Sequence, residues 1–280
     1  MQNVILNIIH FIKLSTGNDL SVFDKDFFRH TLEKGTREAG FRASEDYYNF
    51  IKEHPEGAKD LVRSFNVTYS EFFRDPLVFA LLRQWILPSF FSKKDSSEKN
   101  EIRIWSAAAA AGQEAYSVAM LIDHLKMFSH SNITVHIFAS DICHSEIEKA
   151  KEGFYPVDQL QNVPLKYLNE YFYPNGKGYK LIPRIRESVD FSTYDILDTK
   201  TISPPDSIYG SFDLIYCSNL FIYYNAKIRN QIVQKLKKNL TNGGLLITGD
   251  SEGEILAKYK LHAVCPPAAI FQKETTPEYQ

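Results

Sequence analysis

"IRIWSAAAAAGQEAYSVAML", residues 102–121, decides the fold of this protein. Its first half is a run of apolar, strand-forming residues, and its second half repeats apolar residues at helix spacing, so a buried strand turns directly into an amphipathic helix. The turn between them holds five alanines, Gly112, and then Gln113 and Glu114 at the helix start. A pyrophosphate cradle needs G-x-G-x-x-G before a bare helix N-terminus, so that backbone N–H groups approach the phosphates. Here the later glycines are missing and Glu114 repels a phosphate.

The same alternation continues downstream. After the helix from Gln113 to about Phe128 come "TVHIFASD" (134–141), a helix near residues 144–151, "SVDFSTYDI" (188–196) and "FDLIYCSN" (212–219). A helix then carries Ile228, Ile232, Leu236 and Leu240, and the turn "TNGG" (241–244) leads into "LLITGD" (245–250). Strands alternating with helices imply an α/β fold with a mostly parallel sheet covered on both faces. "YKLHAVC" and "PPAAIFQK" (259–273) close it as an antiparallel hairpin around Pro266 and Pro267.

Upstream the pattern is helical. Ile5, Ile8, Ile9 and Ile12 follow helix spacing, as do Phe28 with Leu32, Tyr47 with Phe50 and Ile51, and Leu61, Val62 and Phe65. These residues predict a small all-helical domain over 1–90, and the charged stretch "SKKDSSEKNE" (92–101) predicts a solvated linker over 91–101. Residues 102–280 form the α/β domain.

Composition narrows the function. Lys+Arg 32 against Asp+Glu 34 gives a net charge of -2, which supplies no bulk field for nucleic acid or an anionic membrane. The first segment lacks a basic start and a cleavage-like site, and no stretch reaches membrane-spanning length. Cys143, Cys217 and Cys265 are too far apart for a paired metal motif and read as small buried residues of a reducing cytoplasm. No His, Cys and carboxylate cluster has ligand spacing, so no metal is expected. No G-x-S-x-G turn marks a hydrolase.

In a sheet of this kind ligands sit at the carboxyl ends of the strands, where the connection order reverses. Polar residues stand there: Gln113 and Glu114 after the first strand, Asp141 after the second, Asp195 after the third, Ser218 and Asn219 after the fourth. An acidic residue at a helix start is also an ordinary cap, but so many polar strand ends together describe a site. A ligand without phosphates, with a ribose and a cationic amino acid portion, suits them. S-adenosylmethionine is such a ligand: Gln113 or Glu114 meets its ammonium, Asp141 accepts from the ribose hydroxyls, and the small alanines let it lie close to the backbone.

Four blocks resemble, in order, the signatures of the CheR-type chemotaxis receptor methyltransferases: "FNVTYSEFFRDP", "RIWSAAAAAGQEAYSVAML", "IFASDICHSEIEKAKEGFYP" and "FDLIYCSNLFIYYNAKIRNQIVQKLKKNLTNGGLLITGDSE". The resemblance implies a class I, Rossmann-like methyltransferase domain behind a helical domain, S-adenosylmethionine as donor, and methyl esterification of glutamate side chains on a chemoreceptor. By motif position it assigns cofactor contacts to Thr68, Ser70, Arg74, Gln113, Asp141, Asp195, Ile196, Ser218 and Asn219. Tyr223 falls beside the transferred methyl, so that Tyr223 and Arg74 are the expected catalytic pair. Thr68, Ser70, Gln113, Asp195 and Ser218 depart from the family's commonest residues, which leaves open a second reading: a cofactor-binding or receptor-docking protein without transfer. Residues 1–70 carry no net basic charge, although Lys25, Arg29 and Arg37 can share a helix face toward an acidic receptor.

Overall fold

The computed structural model of the protein describes residues 2–95, 100–128, 132–207, 210–259 and 261–274. By its contacts the chain divides into two compact units: Met1–Val67 with Phe221–Gln231, and Thr68–Leu220 with Ile232–Gln280.

The first unit contains α1 (Gln2–Thr16), α2 (Lys25–Glu38), α3 (Ser44–Glu53) and α4 (Pro55–Ser64). Ile8 and Ile12 of α1 are fully buried, and they pack with Phe28, Leu32, Tyr47, Ile51 and Leu61 from the other three helices. The helix starts have local causes. Asp24 precedes α2 and accepts the N–H of Asp26, and Pro55, which has no N–H to leave unpaired, is the first residue of α4. Lys25, Arg29 and Arg37 of α2 are exposed, and Arg29 pairs with Asp26 at 3.1 Å.

The second unit opens with α5 (Pro76–Leu81), a π-helical turn over Leu82–Ile86, and α6 (Leu87–Asp95). Their spacing announces helices but not which core they enter. Val78, Phe79, Leu82, Ile86 and Leu87 are buried with Ile102 and Ile104, in the core of the sheet rather than that of α1–α4. The expected linker is also partly helix, since α6 runs to Asp95; residues 96–99 of that stretch lie outside the described residues.

From there the chain forms β1 (Glu101–Ala107), α7 (Gln113–Phe128), β2 (Thr134–Asp141) and α8 (His144–Glu152). An insertion follows, comprising β3 (Phe154–Pro156), α9 (Leu165–Tyr171), β4 (Phe172–Asn175), β5 (Gly178–Leu181) and α10 (Pro183–Arg186). The main fold resumes with β6 (Val189–Thr193), β7 (Phe212–Tyr216), α11 (Ala226–Asn239), β8 (Leu240–Ile247), α12 (Gly253–Leu256), β9 (Leu261–Ala263) and β10 (Ile270–Lys273). The seven-stranded sheet has the order β6-β2-β1-β7-β8-β10-β9. Its first five strands are parallel, and β10 and β9 close it antiparallel, as the tail predicts. This is the α/β, Rossmann-like architecture of a mostly parallel sheet with an antiparallel close. The order reverses between β1 and β7, so the strand ends there are where a ligand belongs.

Three local readings change. Every residue from Gln113 to Ile122 is buried, so the first turns of α7 are enclosed all round instead of showing an exposed face. "TNGG" is no turn between elements; it lies inside β8 as a register shift opposite Phe212 and Leu214. Of the cysteines only Cys217 is buried, with Cys143 and Cys265 half-exposed. Among the described residues no helix is long and apolar enough to cross a membrane, and no group of His, Cys, Asp and Glu is placed to hold a metal.

Gly112 fixes the strand-to-helix turn. Its φ is +84°, and a Cβ there would lie 2.8 Å from the Phe191 ring and 3.0 Å from the Ala150 methyl. Gly40 has the same φ with nothing within 4 Å. Gly40→Ala is therefore expected to cost about 1–2 kcal/mol, from backbone strain alone. Gly112→Ala is expected to cost about 2–4 kcal/mol, since overpacking is added to that strain. Urea denaturation of the two variants measures both; equal losses would show that the Phe191 side yields freely.

Candidate active site at the strand ends

The turn after β1 is built from strained backbone. Ala108 and Ala110 hold φ values of +56° and +46°, in the left-handed region that alanine rarely adopts, at a cost on the order of 1 kcal/mol or more each. Three contacts hold it. The Asp141 carboxylate accepts the Ala110 N–H at 2.9 Å, the Tyr155 hydroxyl donates to the Ala111 carbonyl at 2.7 Å, and the Ala109 N–H continues the ladder to Ser140 at 3.0 Å. Asp141 is thus more than a free acceptor at a strand end. Its other oxygen accepts the Cys143 N–H at 2.8 Å, and the Ile142 N–H adds to the hold on the carboxylate. Burial raises its carboxyl above the ordinary value, against the pull of these N–H donors.

Beyond the turn, α7 begins with two polar side chains in the core. Gln113 is 3% and Glu114 4% exposed, and the Oε1 atom of each is buried with no hydrogen-bond partner. The Gln113 amide reaches Gln159 of the insertion only at 3.5 Å. Burial pushes the Glu114 carboxyl up to about 8; the Arg74 guanidinium opposes that rise, and Glu252 and Glu71 add to it. A buried acceptor with no donor costs about 1–3 kcal/mol. Two of them on adjacent residues describe a place for a cation.

Arg74 follows Phe73, whose φ is +49° and whose N–H donates to the Ser117 hydroxyl at 3.0 Å. Ser117 in turn donates to the Gln113 carbonyl at 2.7 Å, which ties the Phe-Phe-Arg block to the first turn of α7. The Arg74 guanidinium lies 5.5 Å from the Tyr69 ring, and Arg74 lines a cavity of about 280 Å³ with Phe73, Phe79, Arg83, Leu121 and Tyr167. Ser70 is half-buried with its hydroxyl oxygen buried and unpartnered, and Thr68 is half-buried at the start of the unit.

The remaining strand ends are held by the same kind of bond. The Tyr194 N–H donates to the Asp141 carbonyl at 2.9 Å, which sets the following Asp195 and buried Ile196 beside β2. Asp195 accepts the Leu197 N–H at 2.8 Å, an Asx turn. After β7, the Ser218 hydroxyl donates to the Asn219 side-chain oxygen at 2.7 Å, and the Asn219 N–H donates to Glu252 at 2.8 Å. Arg74 and Gln113 are thereby joined through Phe73 and Ser117, Ser218 and Asn219 through a direct bond, and Asp195 and Ile196 stand beside Asp141 through Tyr194. Tyr223 belongs by its contacts to the first unit: its ring centroid lies 4.9 Å from that of Phe27, and its carbonyl accepts the Asp24 N–H at 2.8 Å. Ser117, Tyr155, Gln159 and Glu252 are the supporting residues that spacing does not single out. Only the polar character of Ser117 among the apolar residues of its helix hints at one of them.

The family model for the CheR methyltransferase SAM-binding domain matches residues 68–263. The chain belongs to the CheR methyltransferase family. Its relatives include a chemotaxis protein methyltransferase of Borreliella burgdorferi, 31% identical over 251 residues that cover 88% of this chain and 86% of the relative. The chemotaxis protein methyltransferase Cher2 of Pseudomonas putida is 28% identical, covering 86% of this chain and 87% of its own. That of Escherichia coli is 27% identical, covering 90% and 86%. The cofactor of this CheR domain is S-adenosylmethionine. The unpartnered Gln113 and Glu114 oxygens suit its ammonium, and the Asp141 carboxylate is an acceptor at the neighbouring strand end that suits ribose hydroxyls.

The carboxyl of Glu114 also carries a pH signature. It ionises near 4.5 when unfolded and near 8 when folded, so between those values the folded chain binds more protons and stability falls as pH rises. Glu114→Gln removes that slope. Its stability relative to the parent is expected to rise from pH 5 to pH 8, on the order of 3 kcal/mol in all. Calorimetric melting at the two pH values checks this, and a constant difference would mean the carboxyl is ionised throughout.

Proposed function

We propose that this protein transfers the methyl group of S-adenosylmethionine to glutamate side chains of a chemoreceptor in the cytoplasm, giving methyl esters. The observation that carries the reading is the pair of buried, donorless oxygens on Gln113 and Glu114 at the start of α7, beside the charge of Arg74. In this reading Gln113 and Glu114 hold the ammonium, Asp141 holds the ribose, and Thr68, Ser70, Asp195, Ile196, Ser218 and Asn219 complete the cofactor site. Arg74 and, by its place in the family motif, Tyr223 act at the methyl end.

When bound, the cofactor supplies an electrophilic methyl on a sulfonium. The chain's residues have little acid–base work to do, because an acceptor glutamate is already ionised at neutral pH. Their task is alignment and removal of water from the carboxylate, and placement of this kind lowers a barrier by several kcal/mol. Arg74 suits the acceptor: its guanidinium attracts a carboxylate and is always charged. Gln113, where the family commonly has an acid, offers a neutral acceptor, a contact weaker than a charge-assisted one by about 1 kcal/mol. Glu114 compensates, since a neighbouring ammonium favours its ionised form.

The test is methyl transfer from S-adenosylmethionine carrying a labelled methyl to a chemoreceptor signalling fragment, read as base-labile label. Label that disappears when the acceptor glutamates are replaced by alanine is the expected result. Tight binding of S-adenosylhomocysteine without label on any carboxylate would establish the second reading, cofactor binding without transfer. By calorimetric titration, Asp141→Ala is expected to weaken S-adenosylhomocysteine binding by about 1–3 kcal/mol, roughly 5- to 150-fold. Unchanged affinity in a folded variant would remove Asp141 from the site.

A further inference from the structure

We infer that Glu252 is a positioning residue for the cofactor site, acting through Asn219, and that it sets how tightly the site closes on its ligand. The inference rests on the proposed role of Asn219 as a cofactor contact. Glu252 is 0% exposed, and a single one of its oxygens, Oε2, accepts two backbone N–H groups: that of Asn219 at 2.8 Å and that of Gly249 at 2.9 Å. One carboxylate oxygen thus pins the loop after β7 to the loop after β8, just past the last ladder bond between them, from the Cys217 N–H to the Ile247 carbonyl at 2.8 Å.

The pinned residue is under strain. Asn219 has φ +57°, a left-handed conformation that asparagine adopts more readily than most residues but not without cost. The Asn219 N–H lies past the end of the strand ladder, and the Glu252 carboxylate is the acceptor that meets it. Such charge-assisted bonds are about twice as strong as neutral ones. The side chain is fixed as well. The Ser218 hydroxyl holds its oxygen at 2.7 Å, and a Cβ on Gly249 would lie 2.9 Å from its amide nitrogen and 3.1 Å from its Cγ. Gly249 is therefore empty where Asn219 lies, and Glu252 binds the backbone of both.

A buried carboxylate is an expensive means of holding two loops. Its charge also contributes to the raised carboxyl of Glu114. Glu252 therefore acts on both Asn219 and Glu114. The sequence marks it only as the last residue of "GDSE", after the final parallel strand.

A double-mutant cycle tests the inference. Glu252→Gln, Asn219→Ala and the pair are compared by calorimetric titration with S-adenosylhomocysteine, alongside circular dichroism and melting to establish folding. The expected result is that Asn219→Ala and folded Glu252→Gln each weaken binding about tenfold or more, while the pair is no weaker than Asn219→Ala alone, because Glu252 acts through that residue. Gly249→Ala, which displaces the Asn219 side chain, should weaken binding in the parent but not in the Asn219→Ala background; should Glu252→Gln not fold, Glu252→Asp, which keeps the charge but shortens the reach to the two N–H groups, takes its place in the cycle with the same expected outcome. If Asn219→Ala weakens binding while folded Glu252→Gln and Gly249→Ala bind as the parent does, or if their losses multiply with that of Asn219→Ala, the inference is wrong and the assignment of Asn219 stands. If Asn219→Ala binds as tightly as the parent, the assignment of Asn219 fails and the inference falls with it.

Discussion

The bond from the Ala110 N–H to the Asp141 carboxylate is the constraint on which the rest of the site depends. Two alanines in the left-handed region will not stay there unaided, and the turn they form decides where α7 begins. Asp141 supplies the partner from the end of the neighbouring parallel strand, so the geometry of the turn is tied to the pairing of β1 with β2. Tyr155 supplies a second partner from the insertion. Gly112 then admits the Phe191 ring, which an alanine would displace. With the turn so fixed, Gln113 and Glu114 enter the core at the first turn of a helix that is enclosed on every side.

That enclosure explains the electrostatics. A glutamate in water needs no partner, but one that is 4% exposed with an unpaired oxygen is held near neutral by burial, and only the Arg74 charge works the other way. The protein thus keeps acceptors unsatisfied at a point where a cation would satisfy them. Natural proteins leave few such groups, and when they cluster at the carboxyl ends of a parallel sheet they speak for a ligand. The same logic separates this turn from a nucleotide cradle, where donors rather than acceptors face the ligand.

The insertion between α8 and β6 contributes more than bulk. Its β3 and β5 pair antiparallel, and from that small sheet Tyr155 reaches the turn after β1, while Gln159 approaches Gln113. The supports come from far away in sequence, as do Ser117 beneath Phe73 and Glu252 beneath Asn219. Tyr155, Ser117 and Glu252 each fix a backbone group of the residue they serve, so their importance is in orientation and not in contact with a substrate.

The sequence alone determined the alternation of strands and helices, the parallel sheet with its antiparallel close, and the polar residues at the strand ends, because periodicity and turn chemistry are local and the family blocks lie in order along the chain. It also carried the family, which the match over residues 68–263 bears out. Only the tertiary structure decided the rest. Apolar spacing in α5 and α6 says that a face is buried but not that it is buried against β1. Glycines at 243 and 244 suggest a turn, yet pairing with β7 draws them into β8 as an irregularity. The roles of Asp141 and Glu252 as anchors of backbone N–H groups were equally hidden. A carboxylate at a strand end looks alike whether it meets a ligand, solvent or a neighbouring loop, and the choice is made by residues that lie far off in the chain.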